Sequence, residues 1–243
     1  MDNVVMVAPN AGLEMAGGGG CRVAAKVAEA MNERGYGIEL VALTGDTLEQ
    51  IERLHGVRLG DTNLRYILGK GSTLPVPEPV ALSMLSLYIR RLLSMIEPRL
   101  IVFQDDILLP AVKNYDGKIL VYTHFPLLHK ARARARFSEE WSVSIKQRIY
   151  DVINQRLLAY NSNPADVIIA SSTFAANYCK TAWNRDDIEV FYPPVDNPFS
   201  HSMKPQTEKE SLVICLGGIH PGKRHELAIK ACKLSKLDYD LVV

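Results

Sequence analysis

The chain has 243 residues, 47% hydrophobic and 23% charged, with 16 Gly, 13 Pro and 7% aromatics; these proportions exclude disordered, collagen-like and disulfide-miniprotein classes. Lys and Arg number 28 against 27 Asp and Glu, so no global charge excess points to nucleic acid. The most apolar stretch is interrupted by Arg90 and Arg91 and falls short of the roughly 20 residues of a membrane span.

The first residues, MDNVVMVAP, contain an acid and run directly into a strand, so no secretory signal is expected. Cys21, Cys179, Cys215 and Cys232 show no CxxC pairing and are expected to be reduced, buried thiols of a cytoplasmic protein.

Strands and helices alternate along the chain. Val4 to Ala8 is a continuous apolar run, the pattern of a strand buried on both faces. After the loop PNAGLEMAGGGG, Cys21 to Arg34 carries Val23, Val27, Ala30 and Met31 at helical spacing, and Gly35 stops it. Ile38 to Leu43 reads as a strand, and Asp46 to Leu54 as a short helix opening at an Asp/Thr cap. Leu64 to Leu68 reads as a strand and Val80 to Ile96 as a long helix closed before Pro98.

Leu100 to Phe103 (strand), Leu108 to Tyr115 (helix) and Ile119 to Tyr122 (strand) follow. Beyond a basic stretch, a helix of about 20 residues is expected to reach Tyr160. Asp166 to Ala170 reads as a strand, Thr173 to Trp183 as a helix and Ile188 to Phe191 as a strand. Such repeated βα units specify a doubly wound parallel sheet, an α/β Rossmann-like fold.

The texture then changes. PPVDNPFSHSMKPQTEK is rich in proline and poor in apolar residues, so an N-terminal domain over 1–192 and a linker over 193–210 are expected. A new unit opens at 211–243: Leu212 to Leu216 (strand), GGIHPGK (loop), Arg224 to Leu234 (helix) and YDLVV (strand). One β-α-β piece cannot bury both faces of its sheet, so the second domain is expected to be incomplete in this chain.

Each unit joins its first strand to its first helix through a Gly-rich loop, the junction where ligands bind in open α/β sheets. The helix N-terminus there offers free N–H groups and a positive dipole to phosphate. Neither Gly17-x-Gly19 nor Gly18-x-Gly20 continues as GxGxxG, because Arg22 and Val23 stand at the third position; this weighs against an NAD(P)-dependent oxidoreductase. A flexible loop allowing tight helix–strand packing is the alternative reading of these glycines. GGIHPGKR is not a Walker motif, since Arg224 follows Lys223. Lys223 and Arg224 open a helix, an unfavourable place for cations unless an anion joins them; the pair is either a phosphate contact or a solvated basic turn.

His124 ends the strand ILVYTH, at the carboxyl edge of the sheet, where a histidine is more often catalytic or ligand-facing than one in mid-helix, and it is the expected catalytic residue. No HExxH or Cys/His cluster occurs, so no metal site is expected. Lys130, Arg132, Arg134 and Arg136 place four cations in seven residues soon after His124. The run is either a solvated surface or a contact for an anionic membrane or lipid-diphosphate acceptor. No aromatic platform accompanies it for nucleic acid.

Together GGGGCRVAAKVAEAMNERGYGIELVALTG, ADVIIASSTFAANY, EVFYPPVD and LGGIHPGKRHELAIKA resemble glycosyltransferase family 4, retaining sugar-nucleotide enzymes with the two-domain GT-B fold. YTHFPLL with KTAWNRDDIEVFYPPVD is similar to the mannosyltransferases that extend lipid-linked oligosaccharides from GDP-mannose. The resemblance implies an acceptor-side N-terminal domain and a nucleotide-sugar-binding C-terminal domain. The implied reaction moves a hexose, mannose for preference, from GDP-mannose or a UDP-hexose to a lipid-linked or glycan acceptor at the cytoplasmic membrane face, with no further cofactor.

By the same resemblance, Gly18 and Gly19 approach the donor diphosphate or the acceptor, His124 lies near the transferred sugar, and Lys223 binds donor phosphate. Lys223 and its helix N-terminus would stabilise the leaving diphosphate without metal. Two positions depart from the family pattern: Gly218 stands where an Arg is usual, with Arg224 as a candidate substitute, and Cys21 stands where an acid is common. The family's acidic donor motif is absent from the 243 residues, so this segment alone is expected to be inactive. A non-catalytic member acting as a binding or partner module is the alternative.

Overall fold

In a computed structural model of the chain, the described residues are 3–9, 19–43, 45, 47–68, 78–112, 114–126, 145, 149, 152, 153, 164–195, 212–217, 223–235 and 240–242. The chain divides into two compact units, Met1–Pro194 and Val195–Val243.

In the first unit the described elements run β1 (Asn3–Val7), α1 (Gly19–Asn32), β2 (Gly37–Ala42), α2 (Leu48–His55), β3 (Thr62–Tyr66), α3 (Glu78–Ile96), β4 (Leu100–Gln104), β5 (Lys118–Thr123), β6 (Val167–Ala170), α4 (Thr173–Trp183) and β7 (Ile188–Val190). All the strand pairs are parallel, in the order β3-β2-β1-β4-β5-β6-β7. The expected α/β doubly wound sheet is therefore what forms. Strand order reverses at β1: the chain moves outward to β2 and β3, then returns to place β4 on the other side of β1. A crevice opens at such a switch point, outside the carboxyl ends of the strands.

Side chains along a strand alternate between faces, so a wholly apolar strand feeds two cores. Val5 and Val7 join Ile101 and Phe103 in one cluster, against Ile89 and Leu93 of α3. Val4 and Met6 join Ile38 and Leu40 in the other, against Ala24 and Ala28 of α1. Phe103, Met6, Leu40 and Ile89 are among the largest side chains fully withdrawn from water, each worth about 1.5–3 kcal/mol. The alanines of α1 let that helix approach β2 closely.

Local signals explain the helix boundaries. Thr47 and Gln50 form a reciprocal capping box on α2, and Gly56 ends it in the left-handed region at φ 61°. Ser172 caps α4, and Asn184 closes it at φ 50°. One expected element differs. The helix predicted from Leu108 to Tyr115 is a single 3₁₀ turn, Leu109–Val112, because Pro110 supplies no N–H and Asn114 turns left-handed at φ 66°. The expected loop 10–18, the basic run, most of the helix reaching Tyr160 and the linker after Val195 lie outside the described residues.

In the second unit, β8 (Leu212–Ile214) pairs in parallel with β9 (Asp240–Val242), and α5 (His225–Leu234) lies between them in sequence. All four cysteines are thiols, but only Cys21 and Cys179 are buried; Cys215 and Cys232 are half-buried. The expectation of four buried thiols fails for this last pair, which belongs to the small second unit.

Candidate functional site

Gly19 and Gly20 are the first two residues of α1, at the carboxyl end of β1. Gln104 is the last residue of β4, next to β1 in the sheet, and His124 follows β5 directly. Three residues far apart in sequence thus meet at the switch point. The Gln104 amide nitrogen donates to the Gly20 carbonyl and lies 3.3 Å from Nε2 of His124. The contact depends on Gly20 having no side chain: a Cβ there would sit 3.2 Å from Gln104 Nε2 and 3.4 Å from His124 Nε2. Gly19 has open space where its Cβ would be.

The backbone at His124 is held from both sides. Its N–H donates to Asp105 Oδ1 at 3.0 Å, and its carbonyl accepts from the Ser171 hydroxyl at 3.2 Å. Asp105 has φ 70°, a left-handed conformation that Asp tolerates better than most residues. The Tyr122 ring meets the His124 ring edge-on, with centroids 5.4 Å apart. The Tyr122 hydroxyl donates to the Phe191 carbonyl; burial, helped by the negative charge of Asp105, pushes its pKa up to about 12. Tyr122 is therefore a neutral donor across the physiological range.

Under α1 lies a cavity of about 210 Å³ whose walls include Met6, Val23, Val27 and Leu120. Gln104 and Tyr122 also border it, but no polar atom of either opens into the cavity, whose surface is apolar throughout. On the other side of His124, Phe125 stacks on Phe174 at 6.1 Å and meets Tyr178 at 5.0 Å. Phe174 remains mostly exposed. Beside the sheet edge there is thus a histidine with a fixed backbone, a helix N-terminus and an aromatic surface. That set can orient a hydroxyl-bearing ring and attract an anion.

In the second unit, Lys223 and Arg224 immediately precede α5. The stem of Lys223 runs along the loop backbone: a Cβ on Gly217 would be 3.4 Å from its Cγ and Cδ. Arg224 caps the helix in the left-handed region at φ 53°, and its guanidinium pairs with Glu226 in the first helical turn. That carboxylate answers the unfavourable placement of a cation at a helix start; the hydrogen bond from Arg224 holds the Glu226 carboxyl below its usual range. Half-buried Cys215 lies 3.1 Å from Nδ1 of His225.

Gly18, Gly218, Lys130, Arg132, Arg134 and Arg136 lie outside the described residues. Among the described residues no group of His, Cys, Asp and Glu is placed to hold a metal ion, and no helix is long and apolar enough to cross a membrane. The structure adds Gln104, Asp105 and Gly20 to the residues expected at the site. A sequence signal for Gln104 exists: it is the polar end of an otherwise apolar strand, LIVFQ.

Comparison with known proteins bears on the family and the fold. Residues 17–197 match Glycosyltransferase Family 4. A "GDP-Man:Man(3)GlcNAc(2)-PP-Dol alpha-1,2-mannosyltransferase" of Candida glabrata is 26% identical over 131 residues, covering 50% of this chain and 26% of that protein. Among solved structures, a glycosyltransferase from Rickettsia africae superposes with a TM-score of 0.55 at 12% identity, covering 98% of this chain and 59% of its own. Sucrose-phosphate synthase from Thermosynechococcus elongatus gives 0.54 at 12%, covering 79% and 48%. The chain thus spans about a quarter of the curated relative and about half of these structures. The structural likenesses show the Rossmann-like α/β architecture of GT-B glycosyltransferases. With the family match covering well over half of the sequence, the chain belongs to Glycosyltransferase Family 4.

Proposed function

We propose that the protein to which this chain belongs is a retaining glycosyltransferase that moves mannose from GDP-mannose to a lipid-linked glycan acceptor. The observation that carries the reading is the meeting of Gly20, Gln104 and His124 at the switch point of a family 4 sheet. A sugar hydroxyl needs an oriented polar partner and a diphosphate needs N–H groups and positive charge. His124 offers the first. The N-terminus of α1, Lys223 and the N-terminus of α5 offer the second, each within its own unit. As the glycosidic bond to the donor breaks, negative charge grows on the diphosphate; cations and helix dipoles aimed at it lower the barrier without a metal. The choice of mannose and of a lipid-linked acceptor draws on the likeness to the Candida glabrata mannosyltransferase.

The proposed location is peripheral, at the cytoplasmic membrane face, with the cations of Lys130, Arg132, Arg134 and Arg136 against anionic headgroups. A polybasic contact of this kind contributes about 1 kcal/mol per charge near the surface and weakens with salt.

The test uses full-length protein with radiolabelled GDP-mannose, UDP-glucose or UDP-N-acetylglucosamine and a dolichyl-diphosphate oligosaccharide acceptor. Transfer from GDP-mannose, preserved in EDTA and lost in His124→Ala, is the expected outcome; the product's anomeric configuration, read by NMR, should match the donor's. Transfer from a UDP-sugar alone would replace the donor assignment. No transfer from any donor, with no donor binding by calorimetry, would favour a non-catalytic module. For the membrane contact, the four-cation-to-Ser variant should sediment less with phosphatidylserine vesicles than wild type; equal sedimentation removes that part of the proposal.

A further inference from the structure

Gln104 is 6% exposed, and the donor end of its amide has a fixed partner. The Gly20 carbonyl can only accept, so the amide edge turned toward it must be the NH₂ group. That same NH₂ group has a second hydrogen to offer, and the atom beside it is Nε2 of His124 at 3.3 Å. A donor facing a ring nitrogen selects the lone pair on that nitrogen, which places the ring proton on Nδ1. Among the described residues Nδ1 itself has no hydrogen-bond partner.

We propose that Gln104 is a positioning residue that locks His124 in its Nδ1–H tautomer, so that the ring meets a hexosyl hydroxyl as a donor through Nδ1. This rests on the reading of His124 as the histidine that faces the transferred sugar. The lock has three parts. Gly20 orients the amide through its carbonyl and makes room for it by lacking a Cβ. Gln104 transmits that orientation to the ring. Asp105 and Ser171 fix the His124 backbone, so the ring can adjust to the amide only through its own χ1 and χ2 rotations. A neutral imidazole left to itself in water favours the Nε2–H form; the amide reverses the preference. Among the described residues the buried Gln104 Oε1 has no hydrogen-bond partner. The arrangement resembles those in which a partner on one ring nitrogen decides what the other nitrogen can do.

The experiment reads the tautomer directly. Long-range proton–nitrogen correlation spectra of histidine-labelled full chain, with His124 assigned by the signal lost in His124→Asn, are expected to show the Nδ1–H pattern at neutral pH. Gln104→Leu is expected to move His124 to the Nε2–H pattern or to a mixture. An Nε2–H pattern in the wild-type chain, or an unchanged Nδ1–H pattern in folded Gln104→Leu, overturns the proposal. Where Gln104→Leu does not fold, Gln104→Met, with similar volume and a more adaptable side chain, carries the same expectation and the same overturning result.

Steady-state transfer by the full-length protein separates this from the reading beneath it. Gln104→Leu should lower kcat by about tenfold, the loss of one oriented hydrogen bond, with the donor KM little changed. His124→Ala abolishing transfer while Gln104→Leu leaves kcat untouched overturns the positioning role. Full transfer by His124→Ala overturns the assignment of His124 instead, whatever the spectra show.

Discussion

Asp105 and His124 are joined across the carboxyl ends of β4 and β5, the carboxylate accepting the histidine backbone N–H at 3.0 Å. The residue that makes this tie is itself left-handed, at φ 70°, so its identity matters twice. Asn keeps an acceptor oxygen and tolerates the same backbone region. Gly tolerates the backbone but removes the acceptor, and Ala fails on both counts. The expected stability order is therefore Asn close to wild type, then Gly, then Ala. The Ala variant should lose about 2–3 kcal/mol, combining one hydrogen bond with the cost of a left-handed alanine. Urea denaturation of the four proteins checks the order; an alanine variant as stable as the asparagine variant would show that the tie does no work.

Tyr122 offers a second test, further from solvent. Its hydroxyl reaches from β5 past β6 to the Phe191 carbonyl just after β7, at 3.1 Å. Tyr122→Phe should cost about 1 kcal/mol, or about 2–4 °C in Tm for a unit of this size. The same group sets an alkaline limit. Its folded pKa stands at about 12 against 10.0 in a free side chain, so between those values the unfolded state releases the proton and the folded state keeps it. Stability then falls as pH rises through that window. Thermal melts between pH 9 and 11 should fall more steeply for wild type than for Tyr122→Phe, and parallel curves would remove Tyr122 as the cause.

The architecture was legible because parallel strands buried on both faces read as unbroken apolar runs. VVMV, LIVF and ILVY need no partner to be recognised, and each corresponds to a strand of the sheet. Where backbone chemistry decided, the reading was weaker: LLPAV has helical spacing, but its proline removes the hydrogen bond that would lengthen the 3₁₀ turn. The site was legible to the extent that its members sit at strand ends, which is how His124 stands out. Gln104 is marked only as the polar end of the apolar strand LIVFQ, and a neutral amide next to Asp105 and Asp106 carries no charge or metal signal of function. Its role follows from the reversal of strand order, which sets residue 104 beside residue 20. No local pattern encodes that adjacency.

Thiol chemistry should divide along burial. Cys179 is fully buried, and burial, with the charge of Asp106 added, pushes its pKa up to about 12. Reactivity needs both the thiolate and access, and Cys179 has neither at neutral pH. Cys21, 6% exposed, is nearly as shielded, whereas Cys215 and Cys232 are half-buried. Brief alkylation of the native chain at pH 8 with iodoacetamide, followed by peptide mass mapping, should label Cys215 and Cys232 first. Labelling of Cys179 at the same rate would show that α4 opens readily, contrary to its packing.

His55 gives the acid counterpart. It lies in the last turn of α2, where the helix dipole favours a cation, yet it is only 5% exposed and among the described residues its Nε2 has no hydrogen-bond partner. Burial wins: desolvation first, then repulsion from Arg22, holds its pKa below the usual 6.5. The unfolded chain therefore binds a proton at this position before the folded chain does. The sign follows directly: His55 leaves stability intact above about pH 6.5 and subtracts from it as pH falls through the depressed folded value. In His55→Leu, which keeps the site apolar and uncharged, the slope of stability between pH 7 and pH 5 should be shallower than in wild type. Urea midpoints at half-unit pH steps would measure it, and identical slopes in the two proteins would assign the acid sensitivity to other groups.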